Sequence, residues 1–360
     1  GSETIDRDTR FFSFTTGGAE AVSHVLVPMR RNNFELAAAT RLGDPGKSWI
    51  LGLSLDRTII EQIGAPELVL NEDFGGATTG EASLSDDVMR QVGGRGATRL
   101  ALHVGTRRYR YQEYVGLDAV REREVVPLGF LGGLTIGRSL GIFVPDGVPD
   151  ADDTYARWHS TLTVPVRQSI IRFSTTWEAG YSKGDWRDLL GEIDLALWAR
   201  ADWLRNQTIF FKASMGGGWR TTMPFQLSLG GREGVRSLRD DEHPGGTRLL
   251  LVLEDRIQFG WPSWRTLGLG ATLFADAGQV WKGDAPYGAD TDWVGSVGFG
   301  LRIALPAESR TIWRPEIVFP VGHDGSPIFR VTFEVNRIRF LGGTSRMADA
   351  RRFRRGIEAY

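Results

Sequence analysis

Long runs of alternating apolar and polar residues dominate the C-terminal half of the chain. From Glu192 to Trp203 every odd position is apolar, whereas the even positions include Asp194, Arg200 and Asp202. The same period of two recurs at 208–215, 267–277, 293–305 and 329–336. A period of two is the pattern of a β-strand with one apolar face, so the sequence predicts an all-β fold.

The length of these runs narrows the kind of sheet. They extend over about 10 to 14 residues, whereas a strand in a soluble sheet averages about 5 to 6. Tilted strands that cross a bilayer need about 10 residues, and they turn their apolar side chains outward to lipid. A soluble sandwich would also alternate, with shorter strands and the polar face outside, and this alternative stays open. The pattern favours a transmembrane antiparallel β-barrel.

The N-terminal half is less regular but also predicts strands. They fall at 11–14, 21–29, 34–42, 49–55, 99–110, 126–138, 158–166 and 170–181. Residues 64–96 are acidic and Gly-rich, which indicates a weak strand or two between long loops. We therefore predict about 16 strands (14–16), with the barrel closing between the regions 11–29 and 328–340, because closure leaves no unpaired edge in lipid.

Short and long connections alternate along the C-terminal half. Short turns are predicted at 204–206, 260–263 and 306–310, and longer connections at 216–246, 282–292 and 320–327. Barrels of the outer membrane of Gram-negative bacteria place short turns on the periplasmic side and long loops outside. The alternation of short and long connections predicts that the last strand ends on the periplasmic side.

The charge composition excludes several classes of function. The 43 basic and 44 acidic side chains leave a net charge of −1, which gives no bulk attraction to nucleic acid. The chain has no cysteine, and its five histidines lie at no metal-ligand spacing, so we expect no metal site and no cofactor. The Ser–His pair that an outer-membrane hydrolase would need is weakly represented by His159 and Ser160, because neighbouring strand residues face opposite sides. We expect no enzymatic activity.

Three motifs follow one another after residue 228. The first reads Leu229-Gly230-Gly231-Arg232-Glu233-Gly234-Val235-Arg236-Ser237-Leu238, and the predicted strand that follows carries Glu254. The next strand contains Phe274-Ala275-Asp276-Ala277-Gly278, and the last strand region, 329–340, is rich in aromatic residues. In this order the motifs resemble the BamA/TamA-type superfamily of outer-membrane protein assembly and secretion barrels.

The resemblance implies a long extracellular loop folded into the lumen. In that superfamily a Gly-rich strand end leads to a loop with Val-Arg-Gly-aromatic at its tip. The residues that correspond to the loop are Gly230, Gly231, Val235, Arg236, Ser237 and Leu238. Val235 and Arg236 match the tip, whereas Ser237 and Leu238 stand where glycine and an aromatic residue are expected.

The two strands after the loop correspond to the superfamily's lumen wall. A lumen-facing glutamate maps to Glu254, and an aromatic-x-Asp-x-Gly pattern maps to Phe274, Asp276 and Gly278. Arginine forms fixed, bidentate pairs with carboxylates better than lysine does. We therefore expect Arg236 to reach Glu254 and Asp276 and to lock the loop to the wall.

The resemblance also implies a function and partners. The C-terminal aromatic assembly signal of the superfamily corresponds to Phe329, Val331, Phe333 and Phe340. The implied function is the insertion or translocation of polypeptides, using the lumenal loop and a lateral seam between the first and last strands. Outer-membrane lipid and lipopolysaccharide, client polypeptides and periplasmic proteins are the expected partners, and nucleic acid is not. The alternative is a passive pore, or a barrel that anchors or scaffolds another domain or partner.

The domain organisation predicted from the sequence is simple. Residues 1–340 form the transmembrane barrel, and residues 341–360 form a basic periplasmic tail that contains five arginines. Superfamily members usually carry periplasmic POTRA modules ahead of the barrel. Strand-like sequence begins near Phe11 here, so we expect a barrel without POTRA modules in this chain.

Overall fold

The structure is a computed structural model that describes residues 2–15, 22–69, 78–79, 88, 91–149, 151–201, 203–204, 206–230 and 234–335. For residues 2–15, 22–23, 67–69, 78–79 and 334–335 it describes the backbone only. The predictions made for Gly231, Phe340 and the tail at 341–360 lie outside the described residues.

The described chain consists largely of β-strands. In chain order they are β1 (Ser2–Thr15), β2 (Val22–Asp44), β3 (Lys47–Gln62), β4 (Glu67–Val69), β5 (Thr78–Thr79), β6 (Arg95–Val115), β7 (Arg123–Ser139), β8 (Thr154–Val166), β9 (Ser169–Ser182), β10 (Asp185–Ala199), β11 (Gln207–Trp219), β12 (Leu227–Ser228), β13 (Pro244–Gly245), β14 (Thr247–Gln258), β15 (Gly268–Trp281), β16 (Val294–Ala304), β17 (Thr311–Val321) and β18 (Ile328–Val335). The predicted all-β fold is confirmed.

Among the described residues, 16 strands form one antiparallel sheet, and β12 and β13 form a separate small hairpin. The order from β18 to β6 follows the chain, except that β14 pairs directly with β11. The segment between β11 and β14, which includes β12 and β13, therefore leaves the wall of the sheet. β3 likewise pairs directly with β6 and skips β4 and β5. These two short strands extend the sheet on the side of β2, where β4 pairs with β2 and β5 pairs with β4.

The first and last strands are not neighbours in this order, since β18 lies at one end and β1 lies beside β2, off the path that ends at β5. β1 pairs with β2, and β18 pairs with β17. Within the described ranges no ladder joins β1 to β18. The architecture is that of a β-barrel, but the predicted closure between the first and last strands is not among the described pairings.

The two faces of the sheet differ as the alternation predicts. On β15 the side chains of Thr272, Phe274 and Asp276 are 5% exposed or less, whereas Leu273 is 53% exposed. The same division holds along β16 and β17, where the outward residues are Val297, Phe299, Leu301, Trp313, Ile317 and Phe319. The buried face is therefore polar and the exposed face apolar, the reverse of a soluble sheet. None of the helices in the described part of the chain is long and apolar enough to cross a membrane.

Several strand boundaries differ from the prediction. The regions 21–29 and 34–42 are one strand, β2, because its ladders with β1 and β3 overlap between Met29 and Asn33 and continue through the polar residues there. β10 ends at Ala199 although the alternation continues to Trp203. The connection between β14 and β15 covers 259–267, which is longer than the four-residue turn predicted at 260–263.

Contacts across the interior show that the sheet curls. The connection between β6 and β7, residues 116–122, receives hydrogen bonds from Thr208 on β11 and Arg256 on β14. Its Glu122 pairs with Arg310 in the connection before β17. These elements are far apart in the strand order, so the short connection can touch all of them only across the inside of a curved sheet.

Candidate functional site: an inward-folded loop and its buried charges

The described parts of the long connection between β11 and β14, residues 220–230 and 234–246, pack against the inward face of the sheet. Its Leu229, Val235 and Leu238 pack in one buried cluster with Leu250 of β14, Val280 of β15 and Val294 of β16. The three wall residues occupy even positions, which are the inward positions of these strands. The loop is therefore held first by apolar burial against the inner wall.

Glycines permit this close approach. A Cβ added to Gly278 would lie 2.7 Å from Cδ2 of Leu229 and 3.3 Å from Cγ2 of Val235. A Cβ on Gly230 would lie 1.7 Å from the carbonyl oxygen of Arg239, within the loop itself. Both predicted motif glycines thus occupy places where backbone and side chains leave no room for a side chain.

Arg236 lies at the centre of the arrangement. Its guanidinium donates to Oε1 of Glu254, and its Nη1 lies 3.5 Å from Oδ1 of Asp276. Its backbone N–H donates to Oδ2 of Asp276 at 3.4 Å. The guanidinium carbon also lies 4.0 Å from the centre of the Phe274 ring, which is a cation–π distance. The structure therefore brings Arg236, Glu254, Asp276 and Phe274 together.

Glu254 is shared by three arginines. Besides Arg236, it accepts a hydrogen bond of 2.7 Å from Nε of Arg256 and one of 3.1 Å from Nη2 of Arg314. Arg314 also donates to Glu316 at 2.7 Å. The Glu254 side chain is 2% exposed, and buried charges persist only when they are paired and hydrogen-bonded in this way.

Asp276 has fewer ion-pair partners than Glu254. It accepts a hydrogen bond of 3.0 Å from the hydroxyl of Ser296 in addition to the contacts with Arg236. Glu316 lies 4.0 Å from Nε of Arg236 and 4.0 Å from Nε of Arg330. Asp118 pairs with Arg256, so the site contains four carboxylates facing four arginines, which leaves it without a large net charge.

The two departures from the superfamily motif have partners in the wall. The hydroxyl of Ser237, in the place of a glycine, donates to the carbonyl of Gly295 at 3.2 Å. Leu238, in the place of an aromatic residue, is 7% exposed and belongs to the apolar cluster with Val235. Both residues therefore add contacts to the inward position of the loop.

Five charged residues of the site were not predicted from the sequence: Arg256 of β14, Arg314 and Glu316 of β17, Arg330 of β18, and Asp118, which pairs with Arg256. The two β17 residues occupy inward even positions, so the alternation could have selected them as buried charges. Asp118 lies in the connection between β6 and β7, where no periodicity exists to assign a direction.

The residues of the expected assembly signal lie at the edge of the sheet. Phe329, Val331 and Phe333 of β18 are 69%, 47% and 59% exposed, on the outward apolar face. The Phe333 ring packs edge-on against Trp313 of β17 at 5.0 Å between ring centres.

A Ser–His hydrogen bond exists on the inner wall, at residues that no sequence motif indicated. Oγ of Ser54 lies 2.8 Å from Nε2 of His103, and Nδ1 of His103 lies 3.0 Å from Oγ1 of Thr135. Among the side chains that the structure describes, no three His, Cys, Asp or Glu residues are grouped as a metal site would require.

Comparison with known proteins gives a likeness at the level of structure. No family model matches the chain, and no curated protein matches it. Among solved structures, CdiB from Escherichia coli superposes with a TM-score of 0.42 at 13% sequence identity, over 86% of this chain and 55% of that protein. The chain thus spans about half the length of CdiB. The β-barrel architecture rests on the strand registers and burial of this chain.

Proposed function

We propose that this chain is an outer-membrane β-barrel that inserts or translocates polypeptides, and that the loop 220–246, locked by Arg236, is its lumenal working part. The observation that carries the proposal is the convergence of Arg236 with Glu254 and Asp276. These residues come from the loop motif, the strand after it and the Phe274–Gly278 motif, which resemble those of assembly and secretion barrels. The burial pattern, polar inside and apolar outside, supports the outer membrane of a Gram-negative bacterium as the location.

The ion pairs favour a loop that holds one position against the wall. Glu254 and Asp276 lie on adjacent strands, so an arginine that contacts both ties the loop to β14 and β15 at once. Removing the arginine would take one of three cations from buried Glu254 and the ion pair from buried Asp276, which costs more than losing an exposed pair. The loop is therefore a fixed wall of the interior, against which a polypeptide can be guided.

The edge of the sheet supplies a second element of the proposed activity. In the described part of the chain, β18 carries a ladder on its β17 side only. An open strand edge presents unpaired N–H and C=O groups, to which an extended polypeptide can add as a further strand. In this proposal, client polypeptides and periplasmic proteins are the partners, outer-membrane lipid and lipopolysaccharide surround the barrel, and no enzymatic step is involved.

Reconstitution tests the proposal. The purified chain is placed in phosphatidylethanolamine and phosphatidylglycerol vesicles, a urea-unfolded small outer-membrane barrel is added, and its folded fraction is followed on gels without heating. We expect faster client folding than in empty vesicles, and loss of that acceleration in Arg236→Ala. Arg138→Ala is the matched control, because Arg138 forms an exposed pair with Asp152.

Two results would contradict the proposal. If vesicles with the folded wild-type chain accelerate nothing and only leak ions, the passive-pore alternative replaces it. If Arg236→Ala remains folded and accelerates as well as wild type, the loop lock has no part in the activity.

A second candidate function rests on the Ser54–His103–Thr135 contacts. A serine hydroxyl that can donate to a histidine, whose other ring nitrogen is held by a third group, is the arrangement of a hydrolase nucleophile. The third group here is a hydroxyl rather than a carboxylate, and the β3 backbone at Ser54 lies between ladders to β2 and β6. A fluorophosphonate probe tests this candidate, since labelling that disappears in Ser54→Ala would favour it over the first proposal.

A further inference from the structure

The connection between β6 and β7, residues 116–122, lies inside the curl of the sheet; we call it the inner turn. Leu117, Ala119 and Val120 are 1% exposed or less, and no residue of the inner turn is more than partly exposed. Turns of this length normally lie on the protein surface, because a buried turn must find partners for its backbone polar groups. The inner turn has such partners on several strands.

The carbonyl groups of the inner turn are bound from across the interior. Gly116 accepts hydrogen bonds from Oγ1 of Thr208 at 2.7 Å and from Nε2 of Gln258 at 2.8 Å. Leu117 accepts one from Arg256 at 2.8 Å, and Asp118 accepts one from Arg302. Strands β11, β14 and β16 thus hold one short segment.

The N–H groups of the inner turn are collected by a single buried carboxylate. Glu124, at the start of β7, accepts from the backbone of Leu117 at 2.7 Å and of Asp118 and Ala119 at 3.0 Å. The turn wraps around the Glu124 carboxylate, and these hydrogen bonds fix the backbone conformation of the turn. Glu124 is 3% exposed and therefore acts as an internal anchor.

The far side of the inner turn contacts the connections at the same end of the barrel. The Arg121 guanidinium donates to the carbonyls of Pro262, Phe259 and Trp264, in the connection between β14 and β15. Val120 packs in a buried cluster with Ala304 and Ile312. The turn therefore spans the interior at the end that carries the 259–267 and 305–310 connections, opposite to the end from which the loop 220–246 enters.

A chain of charges joins the two inward segments. Asp118 of the inner turn pairs with Arg256, Arg256 pairs with Glu254, and Glu254 pairs with Arg236 of the loop. Trp198 of β10 also donates to Asp118 at 2.9 Å. The loop and the inner turn thus reach the same pair of β14 side chains from opposite ends.

We propose that the inner turn is a second internal seal, which closes the end of the barrel opposite to the loop 220–246 and is coupled to that loop through Asp118, Arg256 and Glu254. This seal is a property of the barrel itself and goes beyond the proposed handling of polypeptides. An ion current can report it with no polypeptide present, so its failure and the failure of the proposed function are distinguishable.

Single-channel conductance in planar bilayers tests the seal. Glu124→Gln retains the shape of the anchor but loses an acceptor oxygen for the turn's N–H groups, and we expect its conductance to rise several-fold over wild type. A second variant adds Val120→Cys and Ala304→Cys to Glu124→Gln in this cysteine-free chain. Oxidation should tie the turn to β16 and lower the conductance, and reduction should restore it.

A matched cysteine pair controls for cross-linking itself. Thr161→Cys and Ser174→Cys lie opposite each other on β8 and β9, away from the inner turn, and their oxidation should leave the conductance unchanged. Folding of each variant is checked by its heat-dependent gel mobility. If the 120–304 pair fails to cross-link in the folded protein, or cross-links without lowering the conductance, the seal is wrong.

The coupling has its own measurement. In Arg236→Lys we expect the rate of formation of the 120–304 disulfide to change several-fold, because Glu254 then divides its hydrogen bonds differently between Arg256 and residue 236. Equal rates in the two backgrounds would show that loop and turn are independent and would overturn the coupling.

Discussion

Arg256 Nε donates a hydrogen bond of 2.7 Å to Oε2 of Glu254, two residues earlier on the same inward face of β14. The pair lies where the loop 220–246 and the inner turn meet, and each partner binds one of them. Substitutions on either side of this junction should therefore have distinct effects.

Replacing Arg236 should weaken the barrel. Arg236→Ala removes one of the three arginines at Glu254 and the ion pair of Asp276, and we expect a loss of about 1 to 4 kcal/mol in the free energy of unfolding. Arg236→Lys should restore part of it, because an ammonium group cannot bridge two carboxylates in fixed geometry. Urea unfolding in detergent measures both variants, with Arg138→Ala as the exposed control. If Arg236→Ala unfolds at the same urea concentration as wild type, Arg236 does not lock the loop.

The two carboxylates of the lock should differ in importance. Glu254→Gln removes the negative charge that three arginines share. Asp276→Asn removes the charge that pairs with Arg236, and the new amide can still accept the hydrogen bond from Ser296. We therefore expect Glu254→Gln to cost more, by about 1 to 3 kcal/mol. The same unfolding assay ranks them, and the reverse order would show that Asp276 is the principal partner of the loop.

Gly278 should tolerate no side chain. The added methyl group of Gly278→Ala would lie 2.7 Å from Cδ2 of Leu229, so the Leu229 side chain must shift within its buried cluster, at a cost of about 1 to 3 kcal/mol. Gly260→Ala is the control, because nothing lies within 4 Å of a Cβ there. Thermal unfolding of the pair measures the difference, and equal stability would mean that the loop does not press on β15.

The inner turn should remain closed in mild acid. Burial alone raises the pKa of Asp118, but Arg256, a hydrogen bond from Trp198 and Arg302 together hold that pKa below its usual value of 3.8. A carboxyl with a lowered pKa stabilises the fold above its unfolded pKa and loses that contribution as the pH falls through the folded value. Conductance should therefore stay constant from neutral pH to about pH 5 and rise only below about pH 4. A rise between neutral pH and about pH 5 would contradict this role of Asp118.

The apolar outer face should contact lipid. Trp177 is 49% exposed on the outward face of β9, whereas Trp198 is 4% exposed and faces the interior. In vesicles of brominated phosphatidylcholine, which quenches tryptophan at short range, Trp177→Phe should reduce the quenched part of the fluorescence. Trp198→Phe should reduce only the unquenched part. Equal effects would contradict the orientation of the sheet.

The sequence predicted the fold class and the direction of most inward side chains, because alternation is a local property of an extended backbone. Glu254 and Asp276, for example, lie at even positions of their strands, opposite the apolar odd positions. The boundaries failed where hydrogen bonding continued past the pattern, as in β2, or stopped before its end, as at Ala199 in β10.

The candidate site was only half predictable. The loop motif, the strand after it and the Phe274–Gly278 motif indicated Arg236, Glu254 and Asp276, but nothing in the sequence connected Asp118 with Arg256, which lies 138 positions later. Alternation by itself determined which side of each strand faces inward. Only the tertiary structure decided which inward charges meet, because the curl of the sheet and the path of two loops bring together residues that no local spacing relates.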